Sequence, residues 1–221
     1  MKNQIQQHNL RDQALAILKS RLMSGELAPG HIYSAAALAS ELGVSNSPVR
    51  EAMLTLVNQG LMEAVRNRGF RVIPIRRKQL EDIYDVRLML EIPSIAKLAG
   101  IAAQVQDIEP ELRAKLAELR RCADQNDVAG YLINDKEFHL RLLGVLNNPY
   151  LVSTIETLRD QVRQYGVGGA SASTILSRSA DEHEAILNAV LAGDSQKAAT
   201  LMEHHIHKLI QDWDTPQTAA G

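Results

Sequence analysis

The chain is poor in cysteine, in aromatic residues and in long apolar runs. Among its 221 residues the single cysteine, Cys122, rules out an intramolecular disulfide, so a reducing cytoplasmic setting is expected. Phe, Trp and Tyr together make up 4%, so the core must be aliphatic, which suits helices rich in Leu and Ala. No stretch of about twenty apolar residues occurs, so no membrane-spanning helix is expected. No apolar run follows the polar start MKNQIQQHN, so no signal peptide is expected either. There is no repeat and no low-complexity tract. A net charge of −2 excludes little, but its distribution is uneven. Residues 1–78 carry 11 Lys and Arg against 5 Asp and Glu, whereas residues 79–221 carry 13 against 21. A basic N-terminal part followed by an acidic remainder suggests DNA on one side and a different partner on the other.

The length allows two modest domains. The first is organised around 38–69, LASELGVSNSPVREAMLTLVNQGLMEAVRNRG. It reads as helix, tight turn, helix and basic two-stranded wing. Gly43 permits the backbone angles of the turn. Ser34 caps the helix before it, Ser45 or Ser47 the helix after it, and Pro48 fits that helix's first turn, where no amide hydrogen is needed. Val49, Met53, Leu56 and Val57 recur at helical spacing and face inward. This leaves Ser45, Asn46, Ser47 and Arg50 at the exposed N-terminal end, the end a helix-turn-helix inserts into the major groove, and Ser34, at the start of the preceding helix, is a further DNA-contact candidate. Arg66, Asn67, Arg68 and Gly69 form a basic tip between the apolar runs 61–65 and 70–75, suited to phosphates or the minor groove. Upstream, Leu10, Ala14, Ile17, Leu18 and Leu22 lie on one face of a first amphipathic helix over 10–24, after a frayed start at 1–9.

The expected boundaries are a winged helix-turn-helix domain at 1–75, a linker at 76–78 within the basic run PIRRK, an all-α domain at 79–214 and a disordered tail at 215–221. The second domain reads as a bundle of six to seven helices, with spans at about 77–102, 108–125, 128–146, 149–166, 172–192 and 195–213. Its breaks are 107–110, Asn126-Asp127, Asn147 to Pro149, 166–169 and Gly193-Asp194, and Asp194 or Ser195 caps the last helix.

Four residues of this bundle point to chemistry. Asp135 and His139 are four apart, hence stacked on one helix face. His183 lies in DEHEAIL on the fifth helix and His205 in MEHHIHKL on the sixth, each among apolar neighbours. A carboxylate with three imidazoles is a ligand set for Zn²⁺, Ni²⁺, Co²⁺ or Mn²⁺. The residues alone equally allow a surface ion pair at Asp135–His139 and hydrogen-bonded core histidines. Arg87 offers a planar fork for a carboxylate or an i,i+4 partner for Glu91, and Arg178 and Tyr165 are further pocket candidates.

The runs SGELAPG at 24–30, LASELGVS at 38–45, SPVREAM at 47–53, GLM at 60–62 and RGF at 68–70 resemble the winged helix-turn-helix of the GntR family. YDVRLMLE at 84–91, DKEFH at 135–139, EHEAIL at 182–187 and AGDSQKAATLMEHHI at 192–206 resemble the FCD ligand-binding domain of its FadR subfamily. Together they span nearly the whole chain. The resemblance implies a mainly α protein: a DNA-binding winged helix-turn-helix followed by an FCD-like all-α bundle. It implies Asp135, His139, His183 and His205 as metal ligands, His205 being preferred to His204, with His207 about 200° round the helix from His205 and facing away. Small carboxylates fill the remaining metal positions in similar proteins. Two departures stand out: the family usually has Arg, a typical DNA contact, where this chain has Ala36 and Asn46. Asn46 can still pair bidentately with adenine.

These readings point to a cytoplasmic, homodimeric transcriptional regulator, a repressor, that binds a palindromic operator and responds to a small carboxylate at a divalent metal (Zn, Ni or Mn), and not to an enzyme. The competing readings are a metal-dependent hydrolase or oxygenase, for which an Asp/His₃ site could activate water, and a DNA-binding protein whose bundle only dimerises.

Overall fold

The computed structural model describes the backbone of residues 2–163 and 172–212, and side chains over 10–162 and 173–208. The chain divides into two compact units, the first built on Met1–Arg76 and the second on most of the remainder.

The first unit runs α1 (Lys2–Met23), β1 (Ile32–Tyr33), α2 (Ala35–Leu42), α3 (Asn46–Asn58), β2 (Met62–Val65) and β3 (Gly69–Val72). Helix α1 starts at Lys2, earlier than the polar sequence suggested. Its buried stripe is narrower than expected: Ala14, Leu18 and Leu22 are buried at every fourth position, while Leu10 and Ile17 are exposed. That stripe packs on α3, and with Val49, Ala52, Met53 and Leu56 of α3 and Phe70 and Val72 of β3 it belongs to one hydrophobic core. Helix α2 is capped by Ser34, whose hydroxyl accepts from the Ala37 amide at 3.0 Å, and ends at Gly43 in the left-handed region, φ 66°. Ser45 occupies the N-cap of α3 but its side chain makes no cap hydrogen bond. Ser47 instead donates to the Glu51 carboxylate at 3.1 Å. The wing is an antiparallel hairpin in the register Met62↔Val72 to Val65↔Gly69. A short strand the sequence reading did not anticipate, β1, completes a sheet of order β1-β3-β2.

The second unit consists, among the described residues, of α4 (Arg77–Ala99), α5 (Ala102–Gln106), α6 (Glu109–Asp124), α7 (Val128–Gly144), α8 (Pro149–Arg163), α9 (Ala172–Leu191) and α10 (Ser195–Asp212). Helix α4 takes in Arg77 and Lys78 of the expected linker, and the expected first helix divides around Gly100 into α4 and α5. Caps match the turn chemistry. The Asp127 carboxylate accepts from the Gly130 amide, Asn148 from the Leu151 amide and Asp194 from the Lys197 amide. Ser195 turns away from the cap and donates to the Ala96 carbonyl. The expected break at 166–169 and the tail at 215–221 lie outside the described residues. Helix α10 lies along α4, α6 along α7, and α9 meets both α6 and α10.

The interior of this unit is not uniformly apolar. The buried stripe of α4 runs Leu80, Ile83, Tyr84, Arg87, Glu91, Ser94, Ile95, Leu98, so two charges sit where a helix ordinarily presents aliphatic side chains. None of the helices among the described residues is long and apolar enough to cross a membrane.

The two caps of the helix-turn-helix differ, and so should their substitutions. Ser34→Ala is expected to destabilise the protein by about 1 kcal/mol, whereas Ser45→Ala, which removes no cap bond, should cost much less. Denaturant unfolding without DNA measures both, and equal losses would contradict the cap assignment.

Candidate functional site

At the start of α3, burial of Pro48 and Val49 turns the other face outward, and Ser45, Asn46, Ser47 and Arg50 are all exposed. The Arg50 guanidinium lies over the Phe70 ring, 5.8 Å from its centroid, so a strand of the wing steadies the arginine of the helix. At the wing tip Arg66, Asn67 and Arg68 are exposed, and Asn67 adopts φ 58°, which Asn tolerates in a turn. Gly69 has a structural reason. A Cβ there would lie 2.3 Å from the Tyr33 carbonyl oxygen, so only glycine lets β1 approach. Ser34 is committed to its cap, and Ala36 is exposed on α2.

In the second unit the structure gathers Asp135 and His139 of α7, His183 of α9 and His205 of α10 into one buried group, with one ligand atom from each lying within 4.8 Å of all the others. Relative exposures of 8%, 1%, 0% and 0% exclude the surface ion pair. The positions follow from helix periodicity. On α7 the buried residues are Tyr131, Asp135, Phe138, His139, Leu142 and Leu143; on α9 Ser179, His183, Ile186 and Leu187 share the inner face, and on α10 Ala198, Met202, His205 and Ile206 do so. His204 and His207 are exposed, and His207 Nδ1 lies against its own helix at the Glu203 carbonyl.

The outer nitrogens decide what the inner ones can do. His183 Nδ1 lies 2.6 Å from the Ser179 carbonyl oxygen and His205 Nδ1 2.8 Å from Glu182 Oε2. Both partners are acceptors, so each Nδ1 carries the hydrogen and each Nε2 presents a lone pair to the centre. There His183 Nε2 is 2.9 Å from Asp135 Oδ1 and 2.9 Å from His139 Nε2, and His139 Nε2 is 3.8 Å from Asp135 Oδ1. His205 Nε2 is buried with no hydrogen-bond partner. Donors around an ion held at about 2.1 Å stand about 3.0–3.4 Å apart in octahedral or tetrahedral geometry. The observed spacings bracket that range, and the residues fit a divalent ion.

Arg159, which sequence reasoning missed, and Glu91, which it named only as a helix partner of Arg87, complete the surroundings. Arg159 of α8 donates to Asp135 Oδ2 at 3.1 Å and to Glu91 Oε2 at 2.5 Å. Glu91 also accepts from Arg87 Nε at 2.7 Å and stands 3.9 Å from His139 Nδ1. A signal for Arg159 exists: it is a charged residue on the helix face that carries buried Ile155 and Val162. Of the expected effector residues, Arg87 is buried in its pair with Glu91. Arg178 pairs with Glu182 at 3.3 Å and so approaches the cluster through that residue, and Tyr165 lies outside the described residues. Glu137 faces outward to an ion pair with Lys115, and Glu182 is occupied with His205. Neither carboxylate beside a candidate ligand is therefore free to act as a general base.

Burial and the neighbouring Arg159 hold His139 well below its ordinary value. Burial, with His183 beside it, pushes His205 down to about 4. Burial alone would raise Glu91 and Glu182. For Glu91 the charges of Arg159 and Arg87 outweigh it, and for Glu182 the hydrogen bond from His205 and the charge of Arg178 do, so both stay below the usual carboxylate range.

Residues 82–208 match the FCD domain, and residues 10–72 match the gntR family of bacterial regulatory proteins. The chain belongs to the GntR family. Among its relatives, the HTH-type transcriptional repressor GlaR of Escherichia coli is 26% identical over 197 residues, which cover 86% of this chain and 89% of that protein. The gluconate operon transcriptional repressor of Bacillus subtilis is 28% identical over 203 residues, covering 88% and 79%. The solved structure of Escherichia coli McbR/YncC superposes with a TM-score of 0.80 at 27% identity over 92% of this chain and 96% of that one. The protein is a GntR-family transcriptional regulator with a DNA-binding helix-turn-helix, and the enzyme reading is set aside.

The depressed His205 has a consequence for metal-free protein. Its folded-state value near 4 lies below the ordinary 6.5, so the unfolded chain takes up the proton first. Stability is fully present above pH 6.5 and is lost as pH falls toward 4, by on the order of 3 kcal/mol from this group. Urea unfolding of chelator-treated protein across that range checks it, and a His205→Gln variant should lose part of the slope. An unchanged slope would place the titration elsewhere.

Proposed function

We propose that this regulator is a homodimeric, cytoplasmic repressor that holds a divalent ion (Zn²⁺, Ni²⁺ or Mn²⁺) on Asp135, His139, His183 and His205 and responds to a small carboxylate at that ion. The observation that carries the proposal is the buried donor group: four ligand atoms from three helices within 4.8 Å, with two imidazoles turned inward by acceptors on their outer nitrogens. A bound ion would act as a Lewis-acidic anchor with coordination positions to spare for carboxylate oxygens. The chain's own residues do the rest. Ser179 and Glu182 fix two rings and Arg159 holds the far oxygen of Asp135. Arg87, with Arg178 and Tyr165, is the proposed carboxylate contact. An effector shifts DNA affinity only if it binds one arrangement of the dimer better than another.

On the DNA side, Asn46 and Arg50, with Ser45 and Ser47 beside them, are proposed to enter the major groove, while Arg66 and Arg68 reach phosphates or the minor groove. Two copies related by a two-fold axis would meet the two halves of a palindromic operator. Repression follows the names of the GlaR and gluconate operon relatives.

An ion joining α7, α9 and α10 adds its binding energy to folding. A chelator is therefore expected to lower the melting temperature and Zn²⁺ or Ni²⁺ to restore it, with the difference shrinking below about pH 6, where histidine protonates. His183→Ala and His205→Ala should lose metal by elemental analysis and His204→Ala should keep it. Full occupancy in the first two would mean that the ligand set is wrong. Protein that neither holds nor is stabilised by any divalent ion would leave a bundle with core histidines that serves only to dimerise.

For DNA, Arg50→Ala should weaken operator binding by about 1–3 kcal/mol at fixed salt, with Arg68→Ala weaker in effect. Asn46→Arg should change the preferred bases rather than only add affinity, since Asn favours adenine and Arg guanine. Selection from random DNA with both proteins decides this, and identical consensus sites would remove position 46 from base reading.

A further inference from the structure

We infer that the buried charges around the histidines couple metal uptake to an acid carrying two negative charges, so that the effector is a dianion such as a dicarboxylate. The inference rests on the metal reading above and adds a sign and a number to it.

Four buried side chains form an alternating string across three helices. Arg87 Nε donates to Glu91 Oε1 at 2.7 Å, Arg159 Nη2 to Glu91 Oε2 at 2.5 Å and Arg159 Nη1 to Asp135 Oδ2 at 3.1 Å. Asp135 Oδ1 then faces His183 Nε2 at 2.9 Å. Two guanidinium charges and two carboxylate charges cancel. Among the described residues, the other buried carboxylate, Asp160, is matched by Lys136 at 2.9 Å, and half-buried Glu182 by Arg178. With neutral imidazoles, the centre is electroneutral before any ion enters. This is unlike a cation site whose acidic ligands leave it with net negative charge.

A divalent ion would add two positive charges in a place where water screens poorly, and a net buried charge is costly unless it is paired. Asp135 cannot supply the balance, because its charge is already offset by Arg159. A monocarboxylate leaves one charge over, whereas a dianion closes the sum. A second observation points the same way. Arg87 Nη2 and Arg159 Nε are buried with no acceptor in reach, so the string has N–H donors to spare. Oxygens brought in by an acid are the acceptors those donors lack. Metal and acid therefore favour each other's binding by the same factor.

Arg159 sets this linkage through its charge. Arg159→Gln makes the string net negative, so the ion needs less help; Glu91→Gln makes it net positive, so the ion needs more. The test measures Zn²⁺ affinity of the full chain in a metal buffer that fixes free Zn²⁺. It compares malonate, succinate and glutarate with acetate, propionate and butyrate. Wild-type affinity is expected to rise about tenfold or more with at least one dicarboxylate and to change little with any monocarboxylate. Arg159→Gln should bind Zn²⁺ more tightly than wild type without acid and gain less from it, whereas Glu91→Gln should bind more weakly without acid. If Arg159 merely positions Asp135, Arg159→Gln weakens Zn²⁺ binding equally with and without acid, and the charge account is overturned. Tight Zn²⁺ binding by wild type that no acid alters overturns this inference and leaves the metal reading standing. Absence of Zn²⁺ binding under every condition overturns both. Should a variant fail to fold by circular dichroism, the wild-type comparison of dicarboxylates with monocarboxylates still decides.

Discussion

The second unit is built around a polar centre that cannot satisfy itself. Three imidazoles and a carboxylate are packed where solvent does not reach, and the lone pairs of His183 and His205 face inward because their outer nitrogens are bound to Ser179 and Glu182. Lone pairs meeting lone pairs in a closed interior repel unless a proton or a cation lies between them. That constraint explains the charges nearby. Arg159 ties the far side of Asp135 to Glu91, and Glu91 is tied in turn to Arg87, so α4, α7 and α8 are joined through ions where a bundle of this size usually relies on Leu and Ile. Such a centre is worth little to stability compared with aliphatic packing, and its retention is better explained by binding than by folding.

The first unit works by opposite means. Among the described residues its interior is aliphatic apart from Phe70 and the half-buried Tyr33, and every residue proposed for DNA apart from Gly69 is exposed. Arg66 and Arg68 at a turn tip cost the fold almost nothing, and Arg50 is steadied only by the face of Phe70. Phosphate contacts of this sort act through counterion release and are tuned by salt. The buried centre, screened from salt, is tuned by charge count. The chain's division into a basic part and an acidic part is the coarse trace of these two regimes.

Much of this was legible in the sequence, and what was not has physical reasons. Helix periodicity located the bundle helices to within a few residues, because Gly, Pro and Asn–Asp breaks punctuate them. Ser34 and Asp194 were readable as caps, but Ser45 was not: the N-cap position can be occupied without a side-chain bond, and sequence cannot tell the two apart. Strand β1 has two residues and exists only because Gly69 lets it approach, a tertiary effect with no local signature. Asp135, His139, His183 and His205 stood out because each lies among apolar neighbours at helical spacing, but the residues alone left core histidines open, and the family resemblance was what singled out the set and preferred His205 to His204. The Arg87–Glu91 pair was readable from its spacing, but Arg159 was overlooked because a charge inside an amphipathic pattern reads as an error in the pattern, whereas here it marks a buried ion pair.

X-ray absorption spectroscopy at the metal edge of the loaded protein tests the central claim most directly, since it reads the ligands and not their consequences. The account predicts three imidazole shells and at least one oxygen at distances ordinary for the ion, about 2.0–2.2 Å for Zn²⁺. Fewer than two imidazoles, or a sulfur shell from Cys122, would contradict it.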